Sequence, residues 1–201
     1  MGVGNRDPFY GPRVGRALRF AADAFATRAR KGSGAPYLTH LLAVTTLVME
    51  HGGDEEQICA AVLHDYLEDI PGATVEELEA AFGERVARIV RSLSDATNAR
   101  DKAPWKPRKL AYLAHLRDAP PEVKLVSAAD KLHNARSIVD DHRRMGDEVF
   151  ARFTPPREET LWYYREVVRA LAHGFDHPLV DEVREAVRAL HRVAGADAEE
   201  L

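Results

Sequence analysis

The run His64-Asp65-Tyr66-Leu67-Glu68-Asp69 places an imidazole and three carboxylates in a short stretch of chain. On a helix that turns about 100° per residue, His64, Asp65, Glu68 and Asp69 fall within an arc of about 140°. Neutral imidazole nitrogen and carboxylate oxygen are ligands for Mn, Fe and Zn, and a cation relieves the repulsion among clustered carboxylates. The competing reading is a solvated helix face, the usual fate of a charge run. The preceding residues argue against it. Ala60-Ala61-Val62-Leu63 is apolar on every side, so the helix comes out of the interior, where a carboxylate without a partner is costly.

Two other segments could complete such a site. One is Pro36-Tyr37-Leu38-Thr39-His40, at the start of a predicted helix. The other is Ala128-Ala129-Asp130-Lys131-Leu132-His133-Asn134, in which Asp130 and Asn134 are one turn apart and share a face. Taken alone, each stays open. A lone histidine is more often structural than a ligand, and Asp130 could instead pair with Lys131 or Arg136 on a helix surface.

The elements that must position these residues all read as helices. Val14, Leu18, Ala21, Ala22 and Phe25 recur at three- and four-residue steps, which predicts a helix from Arg13 to about Lys31, stopped by Gly32-Ser33-Gly34-Ala35-Pro36. A second helix covers Leu38 to His51. Asp54 with Gln57 forms a capping box that opens a third, carried through His64 and Asp65 as far as Pro71-Gly72. Thr74 with Glu77 forms another box, and Gly83 closes that short helix. Helices follow over 84–95, 108–118 and 122–140, then after Pro155-Pro156, and from Pro178 to about Val193. No segment alternates with period two. The expected fold is all-α, a compact multi-helix bundle forming one domain over 13–195, with an irregular 1–12 and a frayed 196–201.

Composition narrows the partners. Lys and Arg number 28 against 32 Asp and Glu, so nothing points to a nucleic-acid backbone, whereas a small phosphorylated ligand remains compatible with local basic clusters. The single cysteine, Cys59, lies in an apolar run and reads as a small buried hydrophobe. The N-terminus has no apolar core of signal-peptide type and no window reaches membrane-span length, so no membrane partner and a cytoplasmic location are expected. The basic segment 98–109 surrounds Trp105 with cations. It could grip a polyphosphate or simply be a solvated loop.

The ordered set His40, His64-Asp65 and Asp130 resembles the HD superfamily of metal-dependent phosphohydrolases. The flanking residues narrow the match. Arg28-Ala29-Arg30-Lys31, Pro36 to His40, Leu63 to Asp69, Phe82-Gly83 and Ala129 to Asn134 are similar to the hydrolase domain of the RelA/SpoT family, over roughly residues 13–175. That resemblance implies a stand-alone small alarmone hydrolase that removes the 3′-pyrophosphate of ppGpp and pppGpp with a divalent metal, usually Mn²⁺. It implies His40, His64, Asp65 and Asp130 as metal ligands, and Glu68 and Asp69 as the pair acting on the attacking water. Arg30, Lys31 and Asn134 would contact the nucleotide. Ser127 stands where relatives often carry lysine, so the resemblance also implies either another phosphate-binding cation or another substrate. An adenosine alarmone, the 2′-phosphate of NADPH and a simple nucleotide are the alternatives, and a non-catalytic nucleotide-sensing domain is the alternative of another class.

Overall fold

A computed structural model describes residues 10–94 and 104–198. The expected irregular N-terminus up to residue 9, the loop up to residue 103 and the tail from 199 lie outside the described residues. The helices are α1 (Pro12–Ala24), α2 (Leu38–Glu50), α3 (Glu55–Leu63), α4 (Tyr66–Asp69), α5 (Val75–Phe82), α6 (Glu84–Leu93), α7 (Trp105–Asp118), α8 (Pro121–Met145), α9 (Arg157–Ala172) and α10 (Pro178–Val193). A 3₁₀ segment, η1 (Gly146–Arg152), links α8 to α9. Among the described residues the extended pairing is a single bridge, Ala29 with Pro36. The fold is the all-α bundle that the periodicity predicts.

The centre of the bundle is α3. Every residue from Ile58 to Leu63 is buried, because α1, α2, α6 and α8 pack around it. An element apolar on all sides belongs in a core, and fully burying a side chain such as Leu63 contributes about 1.5–3 kcal/mol. Cys59 sits in this run, fully buried, and burial raises its thiol pKa to about 11, so it acts as a core hydrophobe. The first half of α8 is buried likewise from Val123 to Asp130. Lys124 is buried there because its ammonium caps carbonyls left open at two helix ends: it donates to Arg117 O at 2.8 Å, to Ala170 O at 3.4 Å and to His173 O.

The structure corrects four local expectations. The first helix ends at Ala24 and not near Lys31. Phe25 turns inward to stack on Tyr37, with centroids 5.2 Å apart, and the chain then doubles back through Arg30 N–H to Ala35 O and Tyr37 N–H to Arg28 O. The helix through the histidine–aspartate pair is broken. Its first part stops at Leu63, and His64 Nδ1 bonds Ala61 O at 2.7 Å, the carbonyl that a continuing helix would offer to the amide of Asp65. The second capping box is only half formed. Thr74 accepts from the Glu77 amide, but the Glu77 carboxylate accepts from Tyr66 Oη at 2.7 Å. Finally, α7 begins at Trp105 and not at residue 108, since Pro107 falls in its first turn, where a missing N–H is tolerated.

Candidate metal centre and nucleotide cavity

Three helix termini and the middle of α8 bring the predicted residues together. His40 lies in the first turn of α2, His64 and Asp65 form the joint between α3 and α4, and Asp130 projects from the buried half of α8. His64 Nε2 lies 3.0 Å from Asp65 Oδ2 and 3.1 Å from His40 Nε2. His40 Nε2 lies 3.4 Å from Asp65 Oδ2 and 3.2 Å from Asp130 Oδ1, and His64 Nε2 is 3.7 Å from Asp130 Oδ1. One atom each from His40, His64 and Asp65 lies within 4.8 Å of the other two, and Asp130 joins them through both imidazoles. With metal–ligand bonds of about 2.1 Å, neighbouring ligand atoms sit about 3.0 Å apart in an octahedron and about 3.4 Å apart in a tetrahedron. The spacings among His40, His64 and Asp65 match a donor set that could hold one divalent cation, and Asp130 Oδ1 stands against both imidazoles beside that trio.

Hydrogen bonding orients each donor. His64 Nδ1–H donates to Ala61 O, which makes Nε2 the nitrogen that faces His40, Asp65 and Asp130. His40 Nδ1 meets His133 Nδ1 at 2.8 Å. Burial and the neighbouring His40 and Arg30 push His133 down to about 4, so its ring is neutral at pH 7 and can accept from His40. Asp65 Oδ2 accepts from Tyr37 Oη at 2.7 Å. Asp130 Oδ2 holds Lys131 Nζ at 2.6 Å, while its Oδ1 accepts from Asn134 Nδ2 at 2.5 Å. Asp130 is thus buried and not on a helix surface: one oxygen pairs with Lys131, the other faces the imidazoles.

The electrostatics show that the cluster demands positive charge. Burial would raise Asp130, but Lys131 and the two imidazoles hold it well below the usual carboxylate range. Burial opposes ionisation of Asp65 too, and His64 and His40 more than reverse it. Burial alone would depress His64, yet Asp65 and Asp130 raise it well above the ordinary imidazole value. Without a cation the cluster satisfies itself with a proton on a histidine. A divalent metal supplies the same charge to unprotonated nitrogens.

A cavity of about 660 Å³ opens beside the cluster. Asp65, Glu68 and Asp69 line it, so the break between α3 and α4 still turns the two further carboxylates toward the same space. Arg30, Lys31 and Asn134 line it as well. Arg30 Nη2 donates to Asn134 Oδ1 at 2.9 Å, which ties the loop after α1 to the same turn of α8 as Asp130. Lys31 is exposed at the rim. Ser127, in contrast, is fully buried and its Oγ lies 2.9 Å from Tyr112 Oη, so it faces the core and not a ligand. The sequence motifs gave no role to Tyr37, His133, Arg144 or Arg152, and Lys131 only a pairing with Asp130, yet all five line the cavity. Tyr37 and His133 stood inside the quoted motifs, but only the folded geometry shows that Tyr37 bonds Asp65 and His133 meets His40.

The chain belongs to the HD-domain family, whose profile matches residues 17–157. It is 31% identical over 172 residues to a Synechocystis protein named as a probable guanosine-3′,5′-bis(diphosphate) 3′-pyrophosphohydrolase, covering 81% of this chain and 22% of that one. It is 35% identical over 151 residues to the bifunctional (p)ppGpp synthase/hydrolase SpoT of Escherichia coli, covering 71% of this chain and 21% of that one. The chain thus spans about a fifth of the length of these bacterial relatives. A Danio rerio protein named as a guanosine-3′,5′-bis(diphosphate) 3′-pyrophosphohydrolase is 38% identical over 125 residues, 60% of this chain and 66% of its own. Among solved structures, a metazoan SpoT orthologue described as hydrolysing ppGpp superimposes with a TM-score of 0.74 at 25% identity, over 91% of this chain and 97% of that one.

Proposed function

We propose that this chain is a metal-dependent phosphohydrolase that removes the 3′-pyrophosphate from (p)ppGpp-type alarmones. The convergence of His40, His64, Asp65 and Asp130 beside a cavity edged with cations carries this reading. The names of relatives matched along most of this chain indicate the substrate.

His40, His64, Asp65 and Asp130 would hold the cation, with Mn²⁺ as the proposed ion. When bound, it lowers the pKa of a coordinated water and polarises a phosphoryl oxygen. Glu68 and Asp69 line the adjoining cavity, where the pair positions the attacking water and one of the two carboxylates takes its proton as general base. The water oxygen bonds to the phosphorus attached to the ribose 3′ oxygen, and that P–O bond breaks. The 3′ oxygen takes up a proton, and pyrophosphate and GDP leave from ppGpp. Arg30 and Lys31 hold the nucleotide by stacking and charge, and Asn134 contacts the nucleoside.

Incubation with ppGpp and Mn²⁺, with the products separated by ion-exchange chromatography, tests this reading. Equimolar GDP and pyrophosphate are expected. Orthophosphate as the first product, or intact ppGpp, would contradict it.

A further inference from the structure

Where α7 and α9 form the cavity wall, one hydroxyl is left without a bond. Tyr163 lines the cavity and is only 7% exposed, yet its Oη has no hydrogen-bond partner among the described residues. Leaving a buried donor unpaired costs about 1–3 kcal/mol, and buried polar groups are nearly always satisfied by something. The ring is fixed in place. Trp105 and Tyr164 pack edge-on against it, with centroids 5.9 Å and 5.7 Å away. Nearby Tyr112 lacks this deficit, because it shares a hydrogen bond with Ser127.

The charge around the hydroxyl indicates what could satisfy it. Lys109 Nζ lies 5.1 Å from the Tyr163 ring centroid, and Lys109 also lines the cavity. Lys131, which lines the cavity and pairs with Asp130 at 2.6 Å, brings a second ammonium between this wall and the histidine–aspartate cluster. A phosphoryl oxygen takes a hydrogen bond from a phenol and is favoured beside these two ammonium groups, one of which also balances Asp130.

We propose that the Tyr163 hydroxyl is a substrate-contacting donor to a phosphoryl oxygen of the diphosphate cleaved at the cluster, with Lys109 and Lys131 supplying the balancing charge. The identity of that diphosphate rests on the hydrolase reading above. Burial keeps the Tyr163 phenol protonated, so the donor is present across the physiological pH range.

The test is Tyr163→Phe, which removes one oxygen and keeps the packed ring. Metal-free Tm should be unchanged or higher, because an unpaired buried hydroxyl is gone. The kcat/KM for ppGpp should fall about 10- to 100-fold, and the Kd of the Mn²⁺-loaded protein for inorganic pyrophosphate should rise about tenfold. Wild-type values for both would overturn the inference and leave the hydrolase reading intact. If the wild-type protein does not cleave ppGpp, the hydrolase reading falls and pyrophosphate binding decides alone: tenfold weaker binding in the variant supports the contact, while equal binding, or none by the wild type, overturns it. Lys109→Met, on a different helix, provides the same readout if Tyr163→Phe proves unstable.

Discussion

His40 and His133 face each other through their Nδ1 atoms at 2.8 Å, so one of the two rings must donate and the other accept. For His40 to hold a metal through Nε2 its proton must sit on Nδ1, so His40 donates to the neutral His133 ring and its Nε2 faces His64, Asp65 and Asp130. His133→Ala should therefore weaken Mn²⁺ binding about 10- to 100-fold while leaving the fold intact. Titration calorimetry with Mn²⁺ measures this. Unchanged affinity would show that His40 is oriented by something else.

Asp65 is more exposed to direct loss. Its Oδ2 meets both imidazoles and Tyr37. Wild-type protein should gain about 2.7 kcal/mol of stability at a metal concentration a hundred times the Kd. Asp65→Ala should lose both that Mn²⁺-dependent rise in Tm and turnover. Tyr37→Phe, which leaves His40, His64, Asp65 and Asp130 in place and removes only the bond to Asp65 Oδ2, should cost about tenfold in activity. Thermal scans with and without Mn²⁺, alongside initial rates, separate the two.

Gly32 shows why the loop after α1 is built as it is. Its φ is +93°, and a Cβ there would come within 2.2 Å of the Arg152 side chain, which is itself anchored to Asp141 at 2.6 Å. Gly32→Ala should cost about 1–2 kcal/mol through the backbone alone and push Arg152 away from the cavity wall. Urea unfolding gives the first number. A variant as stable as wild type would mean that the loop relaxes without penalty.

Arg85 joins α6 to the start of α3, with Nη1 at 2.7 Å from Asp54 Oδ2 and 2.9 Å from Glu56 Oε2. Burial works against ionisation of Asp54, but the Gln57 amide and Arg85 bring its pKa below the ordinary 3.8. The Arg85 hydrogen bond leads in bringing Glu56 below 4.5. Carboxylates with depressed folded-state pKa values stabilise above their unfolded values and lose that stabilisation as pH falls through the folded ones. Arg85→Ala should thus cost about 1 kcal/mol at pH 7 after solvent screening, and the gap to wild type should close below about pH 4. Equal gaps at pH 7 and pH 3, measured by urea unfolding, would assign the loss to packing and not to charge.

The sequence signals that proved reliable are those written locally. Asp54 and Gln57 cap α3 as their spacing predicts, and α10 begins at Pro178 and ends at Val193. The apolar run 58–63 correctly indicated a central helix. What escaped local reading depends on partners far along the chain. Nothing near Glu77 announces that Tyr66 will take its carboxylate. At the break the His64 side chain takes a helix carbonyl, while His64 turns toward His40 of α2 and Asp130 of α8 and Asp65 toward His40. Nothing in the sequence singles out Tyr163; the cavity beside it and its unpartnered hydroxyl do.

Alarmone hydrolysis at this cluster is the activity proposed for the chain. The most direct measurement is kcat/KM with Mn²⁺ over a panel of ppGpp, pppGpp, an adenosine alarmone, NADPH and GTP, each product identified, with Asp65→Ala run in parallel. Release of pyrophosphate from the guanosine alarmones, at least tenfold preferred over the rest and absent in the variant, is the predicted result. A preference for NADPH or a simple nucleotide, or turnover that survives in Asp65→Ala, would contradict it.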